Sequence, residues 1–305
     1  MAEKKKLSGP DFAEGVSIGE FADGGMVQGH ANGEAILVAR RGDAYFAIGA
    51  SCTHYGGPLA EGLIAGDTVR CPWHHACFNL RTGEALRAPA LDPVSSWKVE
   101  TSGGKLFVRE KQPGKKRPAV SAKAPENVII VGGGAAGNAA AEMLRPDGYS
   151  GGVTMISADD STPYDRPNLS KDFLAGTANE EWIPLRSMDF YREHQIELLL
   201  NTRVAAIDPR KKSVQLADGS NRKFDALLLA TGAEPVKLKT PGADPSQVCY
   251  LRSLSDCRAI IGKAAKAGRV VLVGASFIAM EVAASLIHES CPGWLSPPTE
   301  AHRRI

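Results

Sequence analysis

Over the first hundred residues, apolar and polar positions alternate in short runs, at 26–30, 34–40, 44–48, 68–70, 97–100 and 105–109, separated by Gly, Pro and Asp clusters. Alternation with turn signals at this spacing predicts a small all-β unit. From residue 127 the pattern changes to unbroken apolar runs, at 128–131, 153–156, 226–230 and 270–273, rich in β-branched residues or leucine. Such runs suit strands buried on both faces of a parallel sheet. Helical spacing follows the first and last of them, at 138–144 and 277–287, so the second half reads as α/β. Between the halves, KQPGKKRPAVSAKAPE holds three prolines and five basic residues without periodicity. It predicts a linker with solvated charges.

Composition narrows the picture modestly. The 305 residues are 43% hydrophobic and 23% charged, as in an ordinary folded protein. A balance of 36 basic against 34 acidic residues gives no reason to expect nucleic acid or an anionic membrane as partner. The basic start, MAEKKK, is not followed by an apolar core, so no secretory signal is expected. The most apolar stretch, 270–287, contains Gly274, Ser276 and Glu281 and reads as a strand and helix rather than a membrane span. A cytoplasmic protein without a membrane segment is expected.

Six cysteines do not make a disulfide scaffold in a chain of this length; their spacing to histidine carries more. Cys52-Thr53-His54 and Cys71-Pro72-Trp73-His74 form C-x-H and C-x-x-H halves. Zinc uses the same ligand types. Three features favour an iron–sulfur centre: each half brings one Cys and one His, Gly or Pro lies in each loop (CTHYGGPL, CPWHHACF), and the flanking chain is all-β. Here the sequence resembles the Rieske ferredoxin family, over roughly residues 10–109. The resemblance implies a [2Fe–2S] cluster with Cys52 and Cys71 on one iron and His54 and His74 on the other, the added electron residing on the histidine-bound iron. High-potential members carry a bonded third Cys in each loop; Gly57 and Trp73 stand there in this chain. They also place Ser and Tyr hydroxyls against the cluster sulfurs, where this chain has Ala76 and Phe78. Fewer hydrogen bonds to sulfur imply a potential toward the low end of about −150 to +300 mV. His75, where many relatives have Gly, reads as an exposed loop residue or a docking or proton-coupled group. Cys77 reads as a small buried residue.

In the second half, the run at 128–131 leads into GGGAAG, with Gly132, Gly134 and Gly137 in G-x-G-x-x-G register and Asp159 about 20 residues on. Gly132 suits the tight turn, Gly134 a close approach to a pyrophosphate at the helix N-terminus, and Gly137 helix–strand packing. Asp159, or less favourably Asp160, can accept from ribose hydroxyls. The segments TPYDRPNLSKDF (162–173) and FDALLLATGAEP (224–235) resemble the FAD domain of ferredoxin reductases and apoptosis-inducing factor-like flavoproteins. That resemblance assigns FAD to the first turn, puts Arg166, Pro167 and Lys171 along the flavin, and brings Thr231-Gly232 near it. Read without the family, Arg166 and Lys171 are surface charges. In VVLVGASFIAMEVAASL, Gly274, Ser276 and Ala279 occupy the glycine positions of a second turn, which resembles the family's NAD(P)H site. By the same resemblance Phe277 stacks near flavin and nicotinamide, and Glu281 pairs with Lys171 as a catalytic pair. The plain alternative for Phe277 and Glu281 is helix packing.

The expected division is a Rieske domain over 1–109, a linker over 110–126, an FAD-binding half over 127–240, the opening of an NAD(P)-binding unit over 241–288 and a tail over 289–305 that departs from the family. The fold class is thus multi-domain: an all-β Rieske domain, then an incomplete Rossmann-like α/β domain. The tail, with three prolines in seven residues, reads as a frameshift or early truncation, and the unfinished sheet predicts an exposed apolar edge that favours self-association. The expected function is an oxidoreductase passing electrons from NAD(P)H through FAD to the cluster and on to a protein acceptor such as an oxygenase. The alternatives are a one-electron carrier with an inactive flavoprotein half, and a redox-sensing interaction protein.

Overall fold

The computed structural model describes residues 7–114, 124–239, 241–242, 244 and 246–288. The chain divides into two units, Met1–Lys116 and Arg117–Ile305. The expected linker falls mostly at 115–123 and the tail at 289–305, both outside the described residues.

The first unit is all-β. Its strands are β1 (Val16–Ser17), β2 (Met26–Ala31), β3 (Glu34–Arg41), β4 (Ala44–Gly49), β5 (Leu63–Ala65), β6 (Thr68–Arg70), β7 (Cys77–Asn79), β8 (Ala85–Arg87), β9 (Ser96–Ser102) and β10 (Lys105–Lys111). They form an antiparallel six-stranded sheet, ordered β1-β10-β9-β4-β3-β2, and a four-stranded one, β5-β6-β7-β8. Asn32-Gly33 joins β2 to β3 with φ of 53° and 80°, the positive pair that a two-residue hairpin turn requires. β3 lies between β4 and the edge strand β2, and its Ile36, Leu37 and Val38 are all fully buried. Its alternate residues serve two cores, Leu37 and Ala39 with Phe78, Cys52 and Cys71, Ile36 and Val38 with Trp97 and Val108. β10 runs two residues past the expected boundary at 109, because Lys111 pairs with Trp97 across the ladder and its ammonium meets Glu34 at 2.8 Å. The pattern did not announce β1, β5, β7 and β8, which are too short for alternation to register.

The second unit contains β11 (Asn127–Val131), α1 (Ala135–Leu144), β12 (Gly152–Ile156), α2 (Met188–Glu193), β13 (Ile196–Leu199), β14 (Val204–Asp208), β15 (Ser213–Leu216), β16 (Asn221–Lys223), β17 (Ala226–Leu229), α3 (Leu254–Ala264) and α4 (Phe277–His288). Four parallel strands, ordered β13-β12-β11-β17, make the main sheet, with β11 at its centre. β14, β15 and β16 form a separate antiparallel meander. One expectation fails: 270–273 forms no strand. Val271 and Val273 are 77% and 78% exposed rather than buried on both faces. Among the described residues no strand pairs with this run: Val270 packs against the core beside α3 and α4, while Val271 and Val273 stay uncovered. Leu228 and Leu229 of β17 are also exposed. No helix among the described residues is long and apolar enough to cross a membrane.

Candidate functional site

The four expected ligands lie on two loops of the first unit with one design. The first loop is closed at its base by a bridge between Ser51 and Pro58, the second by the pairing of Arg70 with Cys77 at the start of the β6–β7 hairpin. In each, the cysteine is the first residue inside the closure. Cys52 N donates to Gly57 O at 2.8 Å and Cys71 N to Ala76 O at 2.8 Å; Gly56 N donates back to Cys52 O and His75 N to Cys71 O. Gly56 and His75 thus hold equivalent positions, and both have positive φ, 74° and 60°. That explains why glycine suits position 75: its backbone is left-handed, a conformation histidine adopts at some cost.

Both thiols are buried, and Cys52 lies within hydrogen-bonding reach of Cys71. Burial, more than the Cys71 contact, pushes the Cys52 thiol above its ordinary pKa, so metal binding there must displace a proton. The two imidazoles converge with Nδ1 atoms 3.3 Å apart and ring centroids 4.9 Å apart, nearly perpendicular. His54 is half-buried and His74 exposed. Among the described residues no three of His, Cys, Asp or Glu surround one ion position. The donors come as a thiol pair and an imidazole pair, as a two-iron cluster takes them. A Cβ on Gly57 would sit 2.7 Å from Cys71 Sγ, so this glycine clears the sulfur. Ala76 and Phe78 are fully buried in the same core as the thiols, which brings no hydroxyl from either position. Tyr55 and Trp73, both exposed, flank the histidines, Tyr55 with its ring 4.0 Å from that of His54.

In the second unit β11 ends in the expected turn. Gly132 has φ of 123°, and a Cβ there would meet Ala230 O at 2.1 Å; one on Gly137 would meet Gly132 O at 1.9 Å. A Cβ on Gly134, by contrast, meets nothing within 4 Å. The turn is therefore closed on its protein side and open at the N-terminus of α1, the arrangement a pyrophosphate needs. A buried polar network orients α1: Asn138 donates to Glu142 (2.7 Å), Tyr191 donates to Asn138 (2.6 Å), and Arg186 meets both Glu142 oxygens at 3.1 Å. Burial and the Glu142 charge push the Tyr191 hydroxyl up, so it stays a donor.

The 3₁₀ turn Arg166–Ser170 carries Arg166 and Pro167 and abuts α4. Lys171 Nζ lies 3.0 Å from Glu281 Oε2, which also accepts from Ser170 Oγ at 2.6 Å. The Ser170 hydroxyl first, then Lys171, holds the Glu281 carboxyl below its ordinary range. Arg166 donates to Arg252 O at 2.7 Å and its guanidinium lies 5.3 Å from the Tyr164 ring centroid. Arg252, which sequence reasoning did not single out, reaches toward the Thr231-Gly232 segment: a Cβ on Gly232 would fall 2.9 Å from its Nη2. The legible signal nearby was Ser253-x-x-Asp256, which forms a capping box at the start of α3. Asp159 lies beyond β12, already engaged by Tyr164 and Ser161. Gly274 has φ of 115° ahead of α4. Ser276 O accepts from Met280 N in its first turn, and Ala279 lies within the helix. Phe277 is 89% exposed. For NAD(P)H, the described residues supply this turn and helix alone.

Comparison with known proteins agrees with both halves. Residues 15–98 match the Rieske [2Fe-2S] domain, and residues 126–291, over half of the chain, match the pyridine nucleotide-disulphide oxidoreductase model. Apoptosis-inducing factor 3 of Homo sapiens is 37% identical over 270 residues, covering 85% of this chain and 44% of that protein. Rubredoxin-NAD(+) reductase of Pseudomonas putida is 41% identical over 160 residues, 52% of this chain and 42% of that one. A solved putidaredoxin reductase–putidaredoxin complex matches with a TM-score of 0.51 at 37% identity, covering 53% of this chain and 40% of that one. The chain thus spans less than half the length of these relatives. The families imply a [2Fe–2S] cluster, FAD and NAD(P)H, and the thiol and imidazole pairs and the open Gly134 turn fit the first two. With a Rieske domain ahead of its nucleotide-binding half, this chain belongs to the pyridine nucleotide-disulphide oxidoreductase family.

Proposed function

We propose that the chain is an electron-transfer oxidoreductase that takes electrons from NAD(P)H and delivers them, one at a time, through the four-ligand centre to a protein acceptor such as an oxygenase. The observation that carries this reading is the presence in one chain of two converging Cys/His loops and a dinucleotide turn, with no cysteine between Ala139 and Asn179 to take electrons by dithiol chemistry. NAD(P)H would supply a hydride, FAD the exchange between two-electron and one-electron chemistry, and the cluster one-electron carriage. The chain's own part is positioning. Gly134 leaves the N-terminus of α1 open to a pyrophosphate, and Thr231-Gly232 and Arg166 border the flavin. Pro167 shapes the 3₁₀ turn that brings Lys171 to Glu281, the charged pair assigned to the reacting edge. Gly274, Ser276 and Ala279 form the nicotinamide-side turn, with Phe277 free to stack. His54 and His74, flanked by Tyr55 and Trp73, make the exit.

Iron, sulfide and flavin per purified chain test this reading. Two iron, two sulfide and about one FAD are expected; zinc in place of iron would overturn it. A second reading, a one-electron carrier whose reductase half is inactive, is favoured by the exposed, unpaired 270–273 run. It expects iron without flavin.

A further inference from the structure

Asp159 occupies the place where a ribose acceptor is expected, three residues past the end of β12, yet its carboxylate is turned into the protein. Oδ2 accepts from the Tyr164 hydroxyl at 2.7 Å and Oδ1 from Ser161 N at 3.3 Å. Its backbone is also held, Asn201 N donating to Asp159 O at 2.9 Å just beyond β13. Tyr164 is 5% exposed. Its oxygen accepts in turn from Leu254 N at 3.0 Å. Leu254 is the first residue of α3, whose opening amides lack partners within the helix. The hydroxyl of Tyr164 thus bridges two elements: it gives its proton to the loop after β12 and takes one from the start of α3.

The bridge also borders the arginines. Arg166 lies over the Tyr164 ring, and its Nη1 donates to the carbonyl of Arg252, two residues before Leu254. Arg252 N and Ser253 N both donate to Asp256 Oδ2, which ties the residues before α3 to its first turn. Burial, then Asp159, pushes the Tyr164 pKa up to about 12, so its proton is in place at any physiological pH.

The geometry points to Asp159 as a positioning residue that acts through Tyr164, fixing the start of α3 and the Arg166–Arg252 pair beside the flavin, rather than as a ribose acceptor. The inference rests on the reading that this unit holds FAD, but its first consequence needs no flavin. A carboxylate facing ribose would have no effect on α3 in the empty protein. One that orients the Tyr164 hydroxyl protects the opening amides of α3 whether or not a nucleotide is bound.

The test uses the full chain as wild type, Asp159→Ala, Tyr164→Phe and the double variant. Hydrogen exchange is measured over 251–257 without flavin, and FAD affinity by titration into the same preparations. Either single change should speed exchange in that segment by roughly two- to tenfold, the worth of one hydrogen bond, and the double variant no further. FAD affinity should fall by one common factor in all three. Asp159→Asn, which keeps an oxygen acceptor for Tyr164, should recover most of the protection and so separates this role from a general loss of folding. Unchanged exchange in Asp159→Ala, or effects on FAD affinity that multiply in the double variant, would overturn the inference. If no preparation binds FAD, the reading of the unit fails, while the exchange data still decide the role of Asp159.

Discussion

The two units build their sites by opposite routes. In the first, each Cys/His pair expected to ligate sits on one short loop, and each loop is closed by its own backbone: Cys52 against Gly57, Cys71 against Ala76. In the second, groups far apart in sequence meet: Lys171 with Glu281, Tyr164 with Leu254, Arg186 with Glu142. A local site carries its signature in spacing, while a dispersed one depends on the packing of whole helices. The first should therefore fail one ligand at a time, and the second as a unit.

The largest expected effects break each side of that contrast. Cys52→Ser or Cys71→Ser should abolish the cluster, read as loss of iron, while the second unit keeps any flavin it binds. Glu142→Ala removes one partner each of Arg186 and Asn138 inside the second unit; breaking a buried pair costs about 3–5 kcal/mol. Its thermal midpoint and FAD content should fall together, with iron unchanged. Gly134→Ala sharpens the comparison, because its Cβ meets no protein atom within 4 Å. The apoprotein should keep its thermal midpoint while FAD affinity drops about tenfold, about 1.4 kcal/mol.

Smaller effects follow. Phe78→Tyr or Ala76→Ser offers a hydroxyl to the cluster and should raise its potential by about 60 mV, one tenfold step for a one-electron couple, measured by redox titration. Glu281→Gln should change stability by less than about 1 kcal/mol, since Lys171 is 47% exposed. The Glu281 carboxyl lies below its ordinary value of 4.5 in the fold. Its contribution is therefore present above about that pH and is lost as pH falls through the lowered folded value. Acid denaturation curves should be shallower over that window in Glu281→Gln.

Legibility follows the same divide. All six alternating runs of the first unit became strands, and C-x-H with C-x-x-H marked the four residues that the two loops bring together. The pattern missed β13 and the β14–β16 meander, short strands such as IELL, SVQL and NRK that carry polar or charged residues and form no unbroken apolar run. The helices α2 and α3 were missed as well, although Ser253-x-x-Asp256 marks the start of α3. The 270–273 run shows the limit of periodicity: it states what a segment is suited for, and only a partner strand makes it one. The meeting of Lys171 and Glu281 was reached through family resemblance, since nothing local links residues 110 positions apart. The turn of Asp159 toward Tyr164 was illegible, because spacing places a carboxylate without saying which way it faces.

The most direct test of the account is electron paramagnetic resonance of the iron- and FAD-loaded protein, frozen after anaerobic reduction with NADH or NADPH and, separately, with dithionite. A Rieske-type signal is expected with dithionite, and the same signal with at least one of the nucleotides. A signal with dithionite and none with either nucleotide would contradict the electron route through the second unit and leave a one-electron carrier.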